Sequence, residues 1–140
     1  MTAPDLINRH VEALLARLRS DAQLASSVFE GDVTGDPAWY VNVWHDSGAF
    51  ESRTWLGEHV DVDITFTIHS VGKDRWQASW VDGRVLAAVN DHILTVAGRR
   101  CFRLAPSGTQ PVTKDTTISP PKFLAVRRYV LHSIPAKVAP

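Results

Sequence analysis

The sequence predicts an α+β fold: a mainly antiparallel sheet of about four to five strands packed against two helices. Three observations lead to this prediction. Apolar residues near the start recur at helical spacing, apolar and polar residues alternate strictly over residues 60–69, and a capping pattern at Asp74 precedes a second helical segment. The predicted order is α-β-β-β-α-β-β, in a single domain over residues 1–134 with a C-terminal tail at 135–140.

The first element is an amphipathic helix. Thr2 is its predicted N-cap, and Pro4 and Asp5 stand in the first turn, where a fixed φ and a negative charge are favourable. The apolar residues that recur at helical spacing are Ile7, Val11, Leu14, Leu15 and Leu18. We expect this helix to end within residues 21–24.

The period changes to two from Val28 onward, which indicates strands. A short segment at residues 28–30 leads into Gly31-Asp32 and a Gly-Asp-Pro turn at 35–37, after which residues 39–44 form a strand with bulky side chains on both faces. Residues 46–59 are predicted as a long loop, part of which could be a hairpin arm. In residues 60–69, Val60 to Ile68 alternate with polar residues, which is typical of an antiparallel strand with one wet face.

Asp74 and Gln77 form a capping box that starts a second helix, predicted to run from about residue 75 to 90. Trp76 and Trp80 lie one turn apart, and with Trp39 they are predicted to be core. Residues 93–97 and 99–104 are predicted as short strands. Residues 105–122 are polar and rich in proline, so we expect a long exposed loop there, followed by a last strand at 123–132.

Composition excludes several classes of function. The 15 Lys and Arg residues balance 15 Asp and Glu residues, which argues against a dedicated nucleic-acid binder and a polybasic membrane-surface protein. The single cysteine, Cys101, cannot form an internal disulfide and is expected to be structural, and the longest apolar run, residues 85–89, is too short to span a membrane. The first thirty residues lack a signal-peptide pattern, so a reducing interior is the expected compartment.

Clusters that could carry chemistry have simpler explanations. His59, Asp61 and Asp63 share one strand face and could hold a metal ion, but a solvated sheet face explains them better. His69 is roughly 33 Å from His59 along an extended strand, so it cannot join such a site. The nucleophile-elbow, P-loop and dinucleotide-binding motifs are missing from the sequence. No catalytic, cofactor-binding or metal-binding residue is therefore predicted.

Two sets of residues are candidates for interactions. Five arginines could form a basic strip that contacts DNA phosphates or only solvates a sheet edge: Arg99, Arg100, Arg103, Arg127 and Arg128. The two predicted loops carry a second set, predicted as an oligomer or partner interface: Arg53, Trp55, Leu56, Val112 and Ile118. Burial of Trp55 by its own loop is an equally good explanation of that residue, and Trp44 is a weaker interface candidate.

Three segments of the chain resemble a known family. Residues 62–72 followed by 74–78 resemble the central strand-turn-helix of tail terminator (tail-completion) proteins from long non-contractile-tailed bacteriophages, the siphophages, of actinobacteria. Residues 28–33, after the first helix, are similar to the family's opening, and residues 81–86 are similar to its second helix. The resemblance covers roughly residues 6–132 and includes no catalytic motif.

The resemblance implies a virion protein without enzymatic activity or cofactor. Its members form a homohexameric ring on the last ring of the major tail tube protein, stop tube polymerisation, and present a docking surface to the head-completion (stopper) protein of the connector. The implied location is the head-tail junction of the virion, after assembly in the cytoplasm of the bacterial host. DNA would pass only transiently through the lumen, where the arginine strip could face it, and no membrane is involved.

Two alternatives remain open from the sequence. One is a head-completion protein of the same connector. The other is a small-ligand-binding or enzymatic α+β domain with a cavity lined by Trp39, Trp44, His69 and Asp63. Titratable groups converging in such a cavity would favour the second alternative.

Overall fold

The computed structural model describes residues 3–50 and 61–136, and it confirms the α+β class. The described residues form two helices and seven strands of one mixed sheet. In chain order these are α1 (Ala3–Arg19), β1 (Val28–Glu30), β2 (Tyr40–His45), β3 (Ala49–Phe50), β4 (Val62–Gly72), α2 (Arg75–Val89), β5 (Arg99–Cys101), β6 (Ala105–Asp115) and β7 (Lys122–Pro135). Neither helix is both long enough and apolar enough to cross a membrane.

The centre of the sheet is the antiparallel pair β4 and β7, which are in register from Val62↔Ser133 to Gly72↔Phe123. The strand order is β1-β2-β4-β7-β5. β3 shares with β2 the other edge of β4, and β6 shares with β5 the other edge of β7. Among these described strands, β1 and β2 form a parallel pair, and the other pairs are all antiparallel.

The core lies between one face of this sheet and the two helices. On β4, Val62, Ile64, Phe66 and Ile68 are all buried, as the alternation in the sequence predicts. Their register partners on β7 include Tyr129 and Leu131, which are buried on the same face. The predicted apolar face of α1 is buried in full against this layer: Ile7, Val11, Leu14, Leu15 and Leu18. Each such side chain contributes roughly 1.5–3 kcal/mol of transfer free energy.

The two helices run antiparallel, with an offset. The Arg17 guanidinium donates to the Ala88 carbonyl oxygen at 2.7 Å, and the Arg84 guanidinium pairs with the Asp21 carboxylate at 2.7 Å. Position along α1 therefore increases as position along α2 decreases. Because only the C-terminal portions meet, the N-terminal half of each helix extends beyond the other.

Side chains at the helix ends set the helix bounds. The Asp74 carboxylate accepts from the Gln77 amide at 2.8 Å, and the Gln77 side chain accepts from the Lys73 amide at 2.8 Å, which confirms the capping pattern. α1 ends at Arg19, a few residues earlier than expected. The Asp21 carboxylate accepts from the backbone amide of Gln23 and so offers the backbone a turn in place of another helical turn. Thr2, the predicted N-cap of α1, lies outside the described residues.

The prediction of a long loop over residues 105–122 was wrong. Residues 105–115 are strand β6, and only residues 116–121 connect it to β7. β6 lies at an edge, where Pro106 and Pro111 need not donate a ladder hydrogen bond, and two register shifts occur at Pro106/Gly108 and Gln110/Thr113. Proline and irregular register, which resemble a loop in the sequence, also protect an exposed edge against pairing with another chain.

Other boundaries also differ from the prediction. Residues 93–97 form only an isolated bridge, Ile93↔Arg103, in place of a strand, and β5 ends at Cys101. β7 is longer than predicted and includes Pro135, the first residue of the predicted tail. Within the predicted loop at 46–59, Ala49 and Phe50 form β3, and the rest of the loop from residue 51 lies outside the described residues.

Candidate interaction surfaces

The face of the sheet away from the helices carries polar side chains on its two central strands. On β4 these are the half-buried Asp63, Thr65, Thr67 and His69. Asp63 lies opposite His132 of β7, whose Nδ1 is 2.5 Å from the Asp63 carboxylate. Of the predicted acid and histidine cluster, Asp63 is therefore engaged in a cross-strand pair, and His59 lies outside the described residues. Among residues 3–50 and 61–136 there is no group of three or more His, Cys, Asp or Glu side chains that could hold a metal ion.

A row of stacked groups continues from this pair toward β5. The Phe102 ring lies 5.1 Å from the His132 ring, centroid to centroid, at an interplanar angle of 41°. The Arg100 guanidinium also lies over the Phe102 ring, 5.5 Å from its centroid. Phe102 is exposed despite its size, so this row is a surface feature with a basic end and an acidic end.

The five arginines of the predicted basic strip do not lie together. The Arg99 guanidinium is buried and donates to Ser133, and the Arg127 guanidinium turns to the helix side, where it pairs with Asp82 of α2 at 2.7 Å. That pair raises the Arg127 pKa, mainly through the hydrogen bond that the guanidinium donates to the Asp82 carboxylate. Arg103 donates to the Asp91 carbonyl oxygen at 2.9 Å. Arg100 and Arg128 occupy positions on the sheet face away from the helices, and a DNA-facing role stays a prediction.

A buried polar network joins α1 to the C-terminal end of β7 and to β5. His10 is fully buried, with Nδ1 2.7 Å from the Leu6 carbonyl oxygen and Nε2 2.8 Å from the Ser133 hydroxyl. Because the Arg99 Nε–H donates to the same hydroxyl at 2.9 Å, the Ser133 proton is free to be donated to His10 Nε2. His10 is then the neutral Nδ1–H tautomer. Burial is also the largest cause that lowers its pKa.

Cys101 belongs to the same buried region, as predicted for a structural cysteine. Its thiol is buried and free of any disulfide, and burial raises its pKa. A thiol that is both inaccessible and protonated is a poor nucleophile. The hydrogen bond between His10 and Ser133 therefore ties α1 to the sheet. The Cys101 side chain is buried in the same region.

The tryptophans of α2 are the largest departure from the predicted core. Trp76 is 83% exposed and Trp80 is 44% exposed, so the prediction that both are core was wrong. Trp39 does pack against the core, and its ring meets the Trp80 ring edge to face at 5.3 Å. Trp44, at the end of β2, is 47% exposed on the opposite side of the sheet from the helices.

These tryptophans belong to a continuous stripe on α2, which we call the α2 stripe: Trp76, Trp80, Gly83 and Ala87. Successive members are four, three and four residues apart, so they fall on one line along the helix, and all four are exposed. The buried residues of α2 lie on the opposite side: Ala78, Val81, Val85, Ala88 and Val89. α2 therefore has two apolar sides, of which the sheet covers one.

An open hollow of about 520 Å³ lies at the other end of the helix layer, between α1 and residues 95–97. We call it the α1 hollow. Its lining combines small apolar residues, Ala13, Ala16, Val96 and Ala97, with polar and charged ones, Asp5, Asn8, Arg9, Glu12 and Thr95. The Arg9 guanidinium donates to the Ala97 carbonyl oxygen and so ties the two walls together.

Strand β6 and the loop between β6 and β7 carry the two members of the predicted interface set that the structure describes, Val112 and Ile118. Ile118 is 40% exposed in this loop, whereas Val112 is half-buried on β6. Lys122 holds the base of the loop by donating to the Pro37 carbonyl oxygen at 2.7 Å and by lying over the Tyr40 ring. Arg53, Trp55 and Leu56 lie outside the described residues, so the interface role of the whole set stays a prediction.

The side chains proposed to line a ligand cavity do not converge. Trp39 packs beside α2, whereas Trp44 and His69 lie on the other face of the sheet. Asp63 is six residues from His69 along β4, roughly 20 Å of extended strand, and pairs with His132. Burial lowers the pKa of His69, but no acid of the proposed cavity lies beside it.

Comparison with known proteins identifies the fold. No protein-family model and no curated protein matches the chain. One solved structure, a chain from the virion of a native gene transfer agent particle, matches with a TM-score of 0.58 at 18% identity, over 85% of this chain and 91% of that chain. The two chains share a fold. A second solved chain, whose name states no function, matches with a TM-score of 0.52 at 15% identity, over 90% of this chain and 96% of that one.

The sequence contains a signal for the α2 stripe that the prediction of a simple core helix did not use. A helix that packs one side on a sheet needs a single apolar face, whereas α2 carries bulky or small apolar residues on two opposite sides. The α1 hollow has no comparable signal, because it depends on where residues 95–97 come to lie beside α1.

Proposed function

We propose that this protein is a structural component of a virion, and specifically a tail terminator. It forms a ring on the end of a phage tail tube, stops polymerisation of the tube, and provides the surface on which the head-completion proteins dock. The observation that carries the proposal is the fold shared with a gene transfer agent virion chain over 85% of this chain and 91% of that one. The match therefore extends over most of both chains and is not confined to one motif.

The sequence supports the finer assignment to a terminator. The segments that resemble tail terminators are β4 with the capped start of α2, the strand β1 with the residues after it, and the middle of α2. In the structure these segments lie in one region of the sheet and the helix that covers it. β2 lies between β1 and β4 and pairs with both, and α2 packs on β4. The resemblance therefore follows one connected part of the fold.

The mechanism is geometric. One face of the ring matches the end of the tube, and the opposite face does not repeat the surface of the tube protein, so that growth stops. This requires no catalytic group. Several titratable residues of the described chain have structural partners: His10 in a buried network, Asp63 with His132, and Asp82 with Arg127. The partners are further copies of the chain, the major tail tube protein and the head-completion protein. The location is the virion, at the head-tail junction.

Deleting the gene from the genome that encodes it tests this function. We expect overlong tails without heads in electron micrographs, and restoration of normal particles when the wild-type gene is supplied in trans. Tails of normal length that fail to join heads would instead identify a head-completion protein, the neighbouring role in the connector. Normal virions from the deletion strain would overturn the virion function altogether.

A further inference from the structure

We propose that the α2 stripe of one copy docks into the α1 hollow of the next copy, with Trp76 as the anchor. This inference rests on the ring proposed above, and it identifies the pair of surfaces that would join neighbouring subunits. The partner is a second copy of this chain. Three properties support this contact: the exposure of Trp76, the lining and charge of the α1 hollow, and the position of the stripe and the hollow at opposite ends of the helix layer.

The α2 stripe is suited to burial against a partner. An indole that is 83% exposed leaves a large apolar surface in water, and tryptophan is the residue type most enriched among the anchors of protein interfaces. Trp80 is held by its edge-to-face contact with Trp39, so part of the stripe is already ordered before docking. Gly83 has nothing within 4 Å of where a Cβ would stand, so another chain could approach the helix backbone closely there.

The α1 hollow offers a complementary surface. It is a shallow, open depression of about 520 Å³, and small apolar residues make up part of its lining. Its lining also includes two carboxylates, Asp5 and Glu12, against one guanidinium, Arg9. Trp76 is flanked by Lys73 and Arg75 against one carboxylate, Asp74, which caps the helix. The anchor therefore has a basic border and the hollow an acidic one, which favours this pairing over stripe against stripe.

The arrangement of the helices makes the contact head-to-tail. Because α1 and α2 are antiparallel and meet only through their C-terminal portions, the α2 stripe begins at one end of the helix layer and the α1 hollow lies at the other. With a rise of 1.5 Å per residue, Trp76 and the hollow are about 30 Å apart within one chain. Two different surfaces that are far apart on one subunit form a heterologous contact, the kind that generates a ring when the rotation closes.

Cross-linking between two variants of the purified full-length protein tests the contact. One variant carries Ser79→Cys beside the anchor and the other carries Asn8→Cys in the hollow, so that Trp76, Lys73, Arg75 and Glu12 all remain in place. A short bis-maleimide should join the two variants when they are mixed at high concentration. A product between these positions must link two chains, since they are too far apart within one. The native Cys101 is buried, and the wild-type protein serves as the blank.

Thr109→Cys, on the exposed strand β6, replaces Asn8→Cys in the matched control mixture. We expect the cross-link of Ser79→Cys to Asn8→Cys to exceed the control clearly. Adding Trp76→Ser to the first variant should weaken association by roughly thirtyfold, the effect of losing a central anchor. Adding Trp44→Ser, an exposed tryptophan on the other face, should change nothing. Arg75→Glu should weaken the cross-link, and Glu12→Arg in the partner variant should restore it.

Cross-link yields equal to the control, or unaffected by Trp76→Ser, would overturn the contact. So would a Trp76→Ser protein that fails to join heads to tails although the cross-link between copies persists, because the stripe would then bind another virion protein. Circular dichroism of Trp76→Ser should match that of the wild type, since this exposed residue adds little to stability. A deletion strain that makes normal virions would remove the tail function and leave the cross-linking result standing, so the two failures are distinguishable.

Discussion

At the residue scale, the buried His10 makes stability depend on pH. Its imidazole is neutral in the folded protein because burial lowers its pKa below the ordinary value of 6.5, whereas the unfolded chain takes up a proton near that value. The contribution is therefore complete above about pH 6.5 and is lost as the pH falls toward the folded-state pKa. We expect the free energy of unfolding to decrease by up to about 1.4 kcal/mol per pH unit over this interval from His10 alone.

Urea unfolding at a series of pH values, for the wild type and for His10→Gln, measures this effect. The glutamine side chain can still bond to Ser133 but takes up no proton, so the slope below pH 6.5 should become shallower. His69 and His92, whose pKa values are also lowered by burial, should account for the slope that remains. Parallel curves for the two proteins would mean that His10 is not the group that titrates.

Residue-scale prediction from the sequence succeeded where one side chain has one neighbourhood along the chain. The alternation over residues 60–69 placed Ile64 and Phe66 in the core correctly, and Asp74 with Gln77 gave the start of α2. Trp76 was misplaced because helical spacing groups it with an apolar side, and the spacing does not say which of two apolar sides the sheet covers. That choice is made by tertiary packing.

At the element scale, two glycines of the β4–α2 unit should respond in opposite ways to the same substitution. Gly83 is in the middle of α2 with open space where a Cβ would stand, so Gly83→Ala should stabilise the fold by about 0.5–1 kcal/mol through helix propensity. Gly72 ends β4, and a Cβ there would lie 2.5 Å from the Ala78 amide nitrogen and 2.9 Å from the Gln77 carbonyl carbon. Gly72→Ala should therefore destabilise by about 1–3 kcal/mol.

Thermal or urea unfolding of the two single variants gives both signs in one experiment. Each variant is the other's control, because the chemical change is the same. If Gly72→Ala were neutral, the junction between β4 and α2 would be looser than the structure indicates. A destabilised Gly83→Ala would show that the exposed side of α2 has no room for a methyl group.

Element-scale prediction failed mainly at β6, and the reason is physical. Its proline and glycine residues, with almost every position exposed, give the pattern of a loop. The strand exists because β7 supplies a long partner and because an edge strand tolerates missing donors and bulges on its free side. Such information is carried by the partner strand, so local sequence alone does not contain it. The arginines lie on different faces for a simpler reason, since neighbouring residues of one strand point to opposite sides of the sheet, as Arg127 and Arg128 do on β7.

At the scale of the whole molecule, the described residues share one core, and the single domain over residues 1–134 stays a prediction. Residues from α1, α2 and five of the strands belong to the same buried cluster, among them Leu14, Val85 and Leu131. The His10–Ser133 network and the Arg127–Asp82 pair tie each helix to the central strand β7. We therefore expect unfolding to be a single cooperative transition, with an enthalpy of roughly 100 kcal/mol near 60 °C for a chain of this length.

The element that tests this cooperativity is β6, because it contributes almost nothing to the core and is held chiefly by its ladder with β7. Far-UV circular dichroism, tryptophan fluorescence and calorimetry should give coincident transitions in the wild type, since β7 itself is buried at Tyr129 and Leu131. Leu131→Ala should lower all three midpoints together by roughly 7–17 °C, because about 2–5 kcal/mol of packing is lost and each kcal/mol shifts a domain of this size by roughly 3–4 °C. An early amide-exchange or circular-dichroism phase without a change in fluorescence would show that β6 detaches first. The cooperative unit would then be the helices with β1, β2, β4 and β7, and β6 would be free to change partners during assembly.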